Sequence, residues 1–205
     1  MGYESPMPVQ EEVIPFLLGD DNDVIALAQT GTGKTAAFGL PILQKIDVTT
    51  YHPQALVLCP TRELCLQIAD DLNDYSKYID NLKVLPVYGG SSIESQIKTL
   101  KRGVHVVVAT PGRLLDLMNR KTVDLSLVKN VIMDEADEML NMGFTDSINA
   151  ILAEVPENRN MLLFSATMPK EIANITKKYM KNPKEIVIGN KNEGNKNIRD
   201  IYYMV

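Results

Sequence analysis

The sequence has no tryptophan, 6% aromatic residues and only two cysteines among its 205 residues. Cys59 and Cys65 form no CxxC pair, and two thiols cannot build a disulfide framework. They read as one buried thiol at a strand end and one on a helix, in a reducing setting. No apolar run approaches the ~20 residues of a membrane span. The first residues lack a basic stretch followed by an apolar one, so no signal peptide is expected. The expectation is a cytoplasmic protein with no membrane partner. Asn174-Ile175-Thr176 matches a glycosylation acceptor, but without a secretion signal it is a chance match on a helix. An excess of positive charge is also missing: the net charge is −5. Generic electrostatic binders of nucleic acid are basic. The overall charge therefore argues against one, while leaving room for local patches.

What is present is ordinary for a soluble globular chain, 45% hydrophobic and 23% charged. A single α/β domain of this length buries roughly 70% of its unfolded surface. Short apolar runs at 24–28, 55–59, 83–87, 105–109, 128–133, 161–164 and 185–188 alternate with amphipathic segments. Several runs are apolar throughout, as strands covered on both faces would be. Leu64, Ile68, Leu72 and Tyr75 recur at helical spacing. Ser91-x-x-Glu94 reads as a capping box, and Lys101-Arg102-Gly103 as that helix's stop. Pro169 suits the first turn of a later helix, and Asn182-Pro183 its end. Alternating strands and helices predict right-handed βαβ units in a doubly wound, mostly parallel sheet flanked by helices. Ligands in such sheets sit at the carboxyl ends of the strands. Residues 190–205 begin polar and turn apolar, which reads as a linker toward a second domain or as a frayed tail that packs back on this one.

Two local patterns carry chemistry. Ala28-Gln29-Thr30-Gly31-Thr32-Gly33-Lys34-Thr35 follows a strand and opens a helix, the P-loop pattern with alanine in the first glycine position. Gly31 and Gly33 let the backbone curl so that successive N–H groups face one centre. The helix N-terminus adds its positive end. Lys34 brings a charge for the outer phosphates, and Thr35 a hydroxyl for Mg²⁺. The second pattern is Val131-Ile132-Met133-Asp134-Glu135-Ala136-Asp137-Glu138, where apolar residues run into crowded acids. Crowded like charges are costly without a cation. Asp134, where strand turns to loop, is placed to hold Mg²⁺. Glu135, one residue on, is placed to orient or deprotonate an attacking water. Glu138 reads as solvated.

The order of motifs points to a family. The P-loop is followed by Pro60-Thr61-Arg62-Glu63-Leu64, then Gly89-Gly90, then Thr110-Pro111-Gly112-Arg113. Asp134-Glu135-Ala136-Asp137 and Ser165-Ala166-Thr167 complete the series. Over nearly the entire chain this resembles the first RecA-like domain of the DEAD-box RNA helicases. The resemblance implies a RecA-like P-loop NTPase fold over residues 1–189 and a second RecA-like domain beyond 189. Residues 2–10 resemble the family's adenine-reading Q motif, with Tyr3 able to stack on the base and Gln10 able to donate and accept at once. Met7 stands where the family usually has threonine. Pro60, Thr61, Arg62, Gly89, Gly90, Thr110, Pro111, Gly112 and Arg113 would hold the sugar–phosphate backbone of RNA without reading bases. Ser165 and Thr167 would meet Asp137 and link the nucleotide site to strand separation.

The activity so implied is ATP-dependent RNA unwinding or ribonucleoprotein remodelling, with ATP and Mg²⁺ as cofactors and Lys34, Asp134 and Glu135 as catalytic residues. In the family the arginine fingers come from the second domain. The chain alone, expected to be monomeric, should then bind nucleotide weakly and unwind nothing. Two other readings stay open: a DNA-directed motor of the same superfamily, and a nucleotide-gated RNA clamp or scaffold.

Overall fold

The computed structural model describes residues 5–19, 23–29 and 31–188. Tyr3, Thr30 and the expected linker at 190–205 lie outside the described residues. Each of the seven expected strands forms. They are β1 Val24–Leu27, β2 Ala55–Leu58, β3 Val84–Val87, β4 Val106–Ala109, β5 Asn130–Met133, β6 Asn160–Ser165 and β7 Lys184–Val187. Every pairing between them is parallel. The order across the sheet is β3-β4-β2-β5-β6-β1-β7, as a doubly wound sheet requires.

The uniformly apolar strands are explained by helices on both faces. One face carries Val24, Ala26, Val57, Val108, Ile132, Leu162 and Phe164 against α1 (Pro8–Leu18), α2 (Lys34–Gln44) and α3 (Arg62–Tyr75). The Phe38 and Phe164 rings meet there at 5.5 Å in a tilted arrangement. The other face carries Ile25, Leu56, Leu58, Val107, Val131, Met133 and Leu163. It packs against α4 (Ile93–Lys101), α5 (Pro111–Asn119), α6 (Ala136–Asn141), α7 (Thr145–Glu154) and α8 (Lys170–Tyr179). Alternate residues of each strand thus enter opposite cores, which is the period-two rule with both faces apolar. Pro86, which cannot donate to a ladder, is tolerated because β3 is an edge strand.

The helix boundaries differ from the sequence expectations in three places. The cap of α4 is Ser92, not Ser91: its hydroxyl accepts from Ser95 N at 3.2 Å and donates to Glu94 at 3.0 Å. Ser91 is drawn instead into a side-chain network with Gln96. Pro169 precedes α8 as its N-cap rather than standing in its first turn, and the helix stops at Tyr179, before Asn182-Pro183. Gly103, at φ +86°, closes α4 as expected. Cys59 and Cys65 are both buried and free.

Strand register does the positioning. Leu27 is level with Ser165, Leu58 with both Met133 and Ala109, and Ala109 with Val87. The loops after β1, β2, β3, β4, β5 and β6 therefore leave the sheet along one edge. These are the six loops that carry the motifs. A cavity of about 530 Å³ bordered by Asp23, Gln54, Asn130, Asn160 and Lys181 opens at the opposite edge, away from them.

Candidate functional site

The P-loop leaves β1 with its first residue buried: Ala28 is 3% exposed and donates to Ser165 O at 3.0 Å. A larger side chain there would meet the core. Gly31 and Gly33 adopt φ +77° and +79°. That left-handed backbone is open to glycine and costs other L-residues roughly 1–2 kcal/mol. Thr32 braces the loop by donating to Gln29 O at 2.9 Å. Gln29 and Gly31 are exposed. Gly33 caps α2, so Lys34 and Thr35 open that helix at its positive end.

Lys34 does not point into water. Its Nζ lies 3.2 Å from Asp134 Oδ1, and the two side chains are 8% and 4% exposed. The P-loop and the acid after β5, far apart in sequence, thus form one buried ion pair. Asp134 also accepts from Glu135 N at 3.0 Å. Glu135 itself stands at φ +51°, a strained setting for a non-glycine residue and one that clusters at functional sites. Burial pushes the Glu135 carboxyl above the ordinary carboxylate range, Asp134 adds to the shift, and Lys34 opposes it. A half-buried carboxyl with a raised pKa, beside a lysine and a second acid, has the character of a general base or water-orienting group.

Thr35, the other candidate metal ligand, faces Asp71 on α3. Burial pushes the Asp71 carboxyl up, the Thr35 hydroxyl holds it partly down, and Asp74 and Asp70 push it up again. Among the described residues no group of three or more acids, histidines or cysteines could hold a metal. The pair Asp134 and Thr35 nonetheless suits Mg²⁺, which keeps several waters and is held by one or two protein ligands plus substrate phosphates.

Gln10 is more occupied than a solvent-facing reader would be. Its Oε1 accepts from Met7 N at 2.9 Å and its Nε2 donates to Gly33 O at 3.3 Å. The amide ties the start of α1 to the P-loop, and its second N–H meets no partner among the described residues. A Cβ on Gly33 would lie 2.6 Å from Gln10 Nε2 and 2.7 Å from Met7 Sδ. Met7 therefore packs over the P-loop backbone, a contact that sequence reasoning did not supply.

The acid that ends the cluster is linked to the loop after β6. Thr167 donates to Asp137 Oδ2 from its hydroxyl at 2.8 Å and from its backbone N–H at 3.0 Å. Ser165 also meets Asp137, at its backbone: its hydroxyl accepts from the Asp137 N–H at 3.3 Å and donates to Thr167 O at 2.7 Å. Burial alone would raise the Asp137 carboxyl. The hydroxyls of Thr167 and Ser165 and the N–H groups of Thr167 and Ala166 bring it below the ordinary value. Glu138 is exposed, as expected.

The remaining motifs lie along the other half of the same edge. Pro60 is buried, and Thr61 caps α3 by accepting from Leu64 N at 3.2 Å. Gly89 and Gly90 are exposed, Gly90 at φ +80°. Thr110 caps α5 without a side-chain bond, Pro111 opens that helix, and Gly112 is exposed. Arg62 is exposed, with its guanidinium 5.0 Å from the centre of the Tyr88 ring. Arg113 is engaged within the chain: Nη1 and Nη2 donate to Ser91 O at 3.1 and 3.2 Å, and Nη1 to Gln96 Oε1 at 3.0 Å. Gln96 and Tyr88 belong to no motif read from the sequence. A buried glutamine six residues past Gly90 gives no signal that a single sequence can separate from a polar helix residue.

Residues 7–175 match the DEAD/DEAH box helicase family. The "ATP-dependent RNA helicase DeaD" of Mycobacterium tuberculosis (strain H37Rv) is 51% identical over 205 residues, all of this chain and 36% of that protein. The protein of the same name from Escherichia coli (strain K12) is 50% identical over 188 residues, 92% of this chain and 30% of that protein. The chain thus spans about a third of the length of these relatives. Among solved structures, a DEAD box protein from Methanococcus jannaschii superposes with a TM-score of 0.86 at 46% identity, over 91% of this chain and 50% of that one. A hypothetical ATP-dependent RNA helicase from Sulfolobus tokodaii gives 0.83 at 44% identity, over 92% of this chain and 54% of that one. The fold is the RecA-like domain of these helicases, and with the P-loop, the acid cluster and the later loops all on one strand edge, the chain belongs to the DEAD/DEAH box helicase family.

Proposed function

We propose that the chain is the ATP-binding half of a cytoplasmic ATP-dependent RNA helicase, which couples ATP hydrolysis to local unwinding of RNA or remodelling of its complexes. The observation that carries this reading is the buried Lys34–Asp134 pair beside Glu135. It joins the phosphate-binding loop to the acids and sets a carboxyl of raised pKa one residue away.

The chemistry follows from the residues. The curled P-loop backbone and the N-terminus of α2 receive the phosphate chain. Lys34 leaves Asp134 to meet the outer phosphates. Asp134 and Thr35 would hold Mg²⁺, which when bound neutralises charge on the phosphate oxygens. Glu135 orients the attacking water and accepts its proton. Gln10 gives its second N–H to the adenine, with Tyr3 stacking on the base. Asp137 passes the state of this site to the loop after β6 through Thr167. RNA is held by its backbone at Pro60–Arg62, Gly89–Gly90 and Thr110–Gly112, where N–H groups meet phosphate and the 2′-hydroxyl favours RNA over DNA.

A cation opposite the acids is expected from a second RecA-like domain. In phosphoryl transfer, such an arginine is worth ~10³–10⁵ in rate. The test compares the 205-residue chain with the full-length protein for ATP turnover, with RNA or DNA added. The full-length protein should be stimulated by RNA and much less by DNA, and the isolated chain should bind nucleotide without stimulated turnover. Stimulation by DNA alone would identify a DNA-directed motor. Robust RNA-stimulated turnover by the isolated chain would show that its own residues complete the site.

A further inference from the structure

Gln96 lies on α4, outside every motif, and is 6% exposed. Its amide is fully used. Nε2 donates to Tyr88 O at 3.1 Å and to Ser91 Oγ at 2.8 Å, while Oε1 accepts from Arg113 Nη1 at 3.0 Å. Arg113 in turn donates twice to Ser91 O. The Arg62 guanidinium covers Tyr88 from the third side. The turn 88–91, which contains Gly89 and Gly90, is therefore gripped from α3, α4 and α5 at once.

We propose that Gln96 is a positioning residue for the nucleic-acid interface. It locks the turn after β3 to the start of α5, so that both present their backbone groups to one phosphate chain at a fixed spacing. Arg113 serves the same lock. Three of its five N–H donors go to Ser91 and Gln96, which fixes its fork on the turn, so it acts chiefly through the turn. The proposal rests on the reading of this edge as an RNA-binding surface. The physical basis is pre-organisation: Gly89 and Gly90 bring no side chains of their own to hold a shape, and order imposed in advance need not be supplied by the ligand.

The test uses the full-length protein and a single-stranded RNA, with affinity measured for wild type, Gln96→Met, Arg113→Lys and the double variant. Methionine keeps the volume of glutamine and removes its hydrogen bonds. Lysine keeps the charge of arginine and loses its fork. Each single change should weaken RNA binding roughly tenfold, and the double no more than either, because both break one unit. ADP affinity should not move, which separates this role from general loss of fold. Ser91→Ala, at a half-buried position, removes one leg of the lock and should weaken RNA binding less; it carries the test if Gln96→Met does not fold. Wild-type RNA affinity with an unaffected Gln96→Met or Ser91→Ala variant would overturn the inference alone. So would a roughly hundredfold loss in the double variant, since independent contacts multiply, or a parallel fall in RNA and ADP affinity. A wild-type protein that does not bind RNA would remove the RNA reading and the inference with it.

Discussion

The Lys34–Asp134 pair makes a quantitative demand on stability before any nucleotide is added. Lys34→Met keeps much of the aliphatic stem and removes the ammonium, leaving the Asp134 carboxylate 3% exposed without its cation. Breaking a buried pair by removing one partner costs about 3–5 kcal/mol. Glu135 N still donates to Asp134, and the P-loop side of the pair is close to water, so the lower end, about 3 kcal/mol, is expected. For a domain of this size 1 kcal/mol moves Tm by about 2–4 °C, so Lys34→Met should lower it by about 6–12 °C. Asp134→Asn in the same background removes the stranded charge and should restore all but about 1 kcal/mol, since replacing both partners of a buried pair is often nearly neutral. Scanning calorimetry of the nucleotide-free wild type, both single variants and the double gives the coupling directly. A Lys34→Met variant that melts with the wild type, or a double variant whose losses add, would refute the buried-pair account.

Three further outcomes follow from the site. Gly33→Ala should cost roughly 2–3 kcal/mol, because it combines left-handed strain with loss of the Gln10–Gly33 bond, whereas Gly31→Ala, with nothing within 4 Å of its Cβ, should carry the strain alone; chemical denaturation of both variants checks the difference. The raised carboxyl of Glu135 favours its protonated form in the folded state, so its contribution is fully present below the ordinary value of 4.5 and is lost as pH rises through the raised value. Glu135→Gln mimics that protonated form, so it should melt above the wild type at pH 7 and with it near pH 4. The same shift should place the acidic limb of the full-length protein's turnover above the usual carboxylate range, read from a pH–rate profile.

The fold was legible because its signal is repeated. Seven apolar runs, each wholly buried or nearly so except at the edges, could only be strands covered on both faces, and all seven formed within a residue or two of expectation. The P-loop was legible for a different reason: glycines at φ +77° and +79°, a lysine and a threonine have spacings fixed by backbone geometry, which a single sequence displays. What sequence alone did not reveal is where long polar side chains turn. The family resemblance implies ligand-facing roles for Arg113 and Gln10, and the structure adds that each is also bonded to backbone of a segment distant in sequence. Ser91 looked like a helix cap and became a network member, because Ser92 could cap as well and Gln96 was within reach. Such choices are decided by tertiary neighbours, and local propensity is nearly indifferent to them.

If this site drives work on RNA, strand release reads that work out without an intermediate step. A short RNA duplex is incubated with the full-length protein, with and without ATP, beside the Glu135→Gln variant. The wild type should release strands over many turnovers in the presence of ATP, and Glu135→Gln should hold RNA without repeated release. Clamping of RNA with no ATP-dependent release by the wild type, or equal release by Glu135→Gln, would contradict that role of the site.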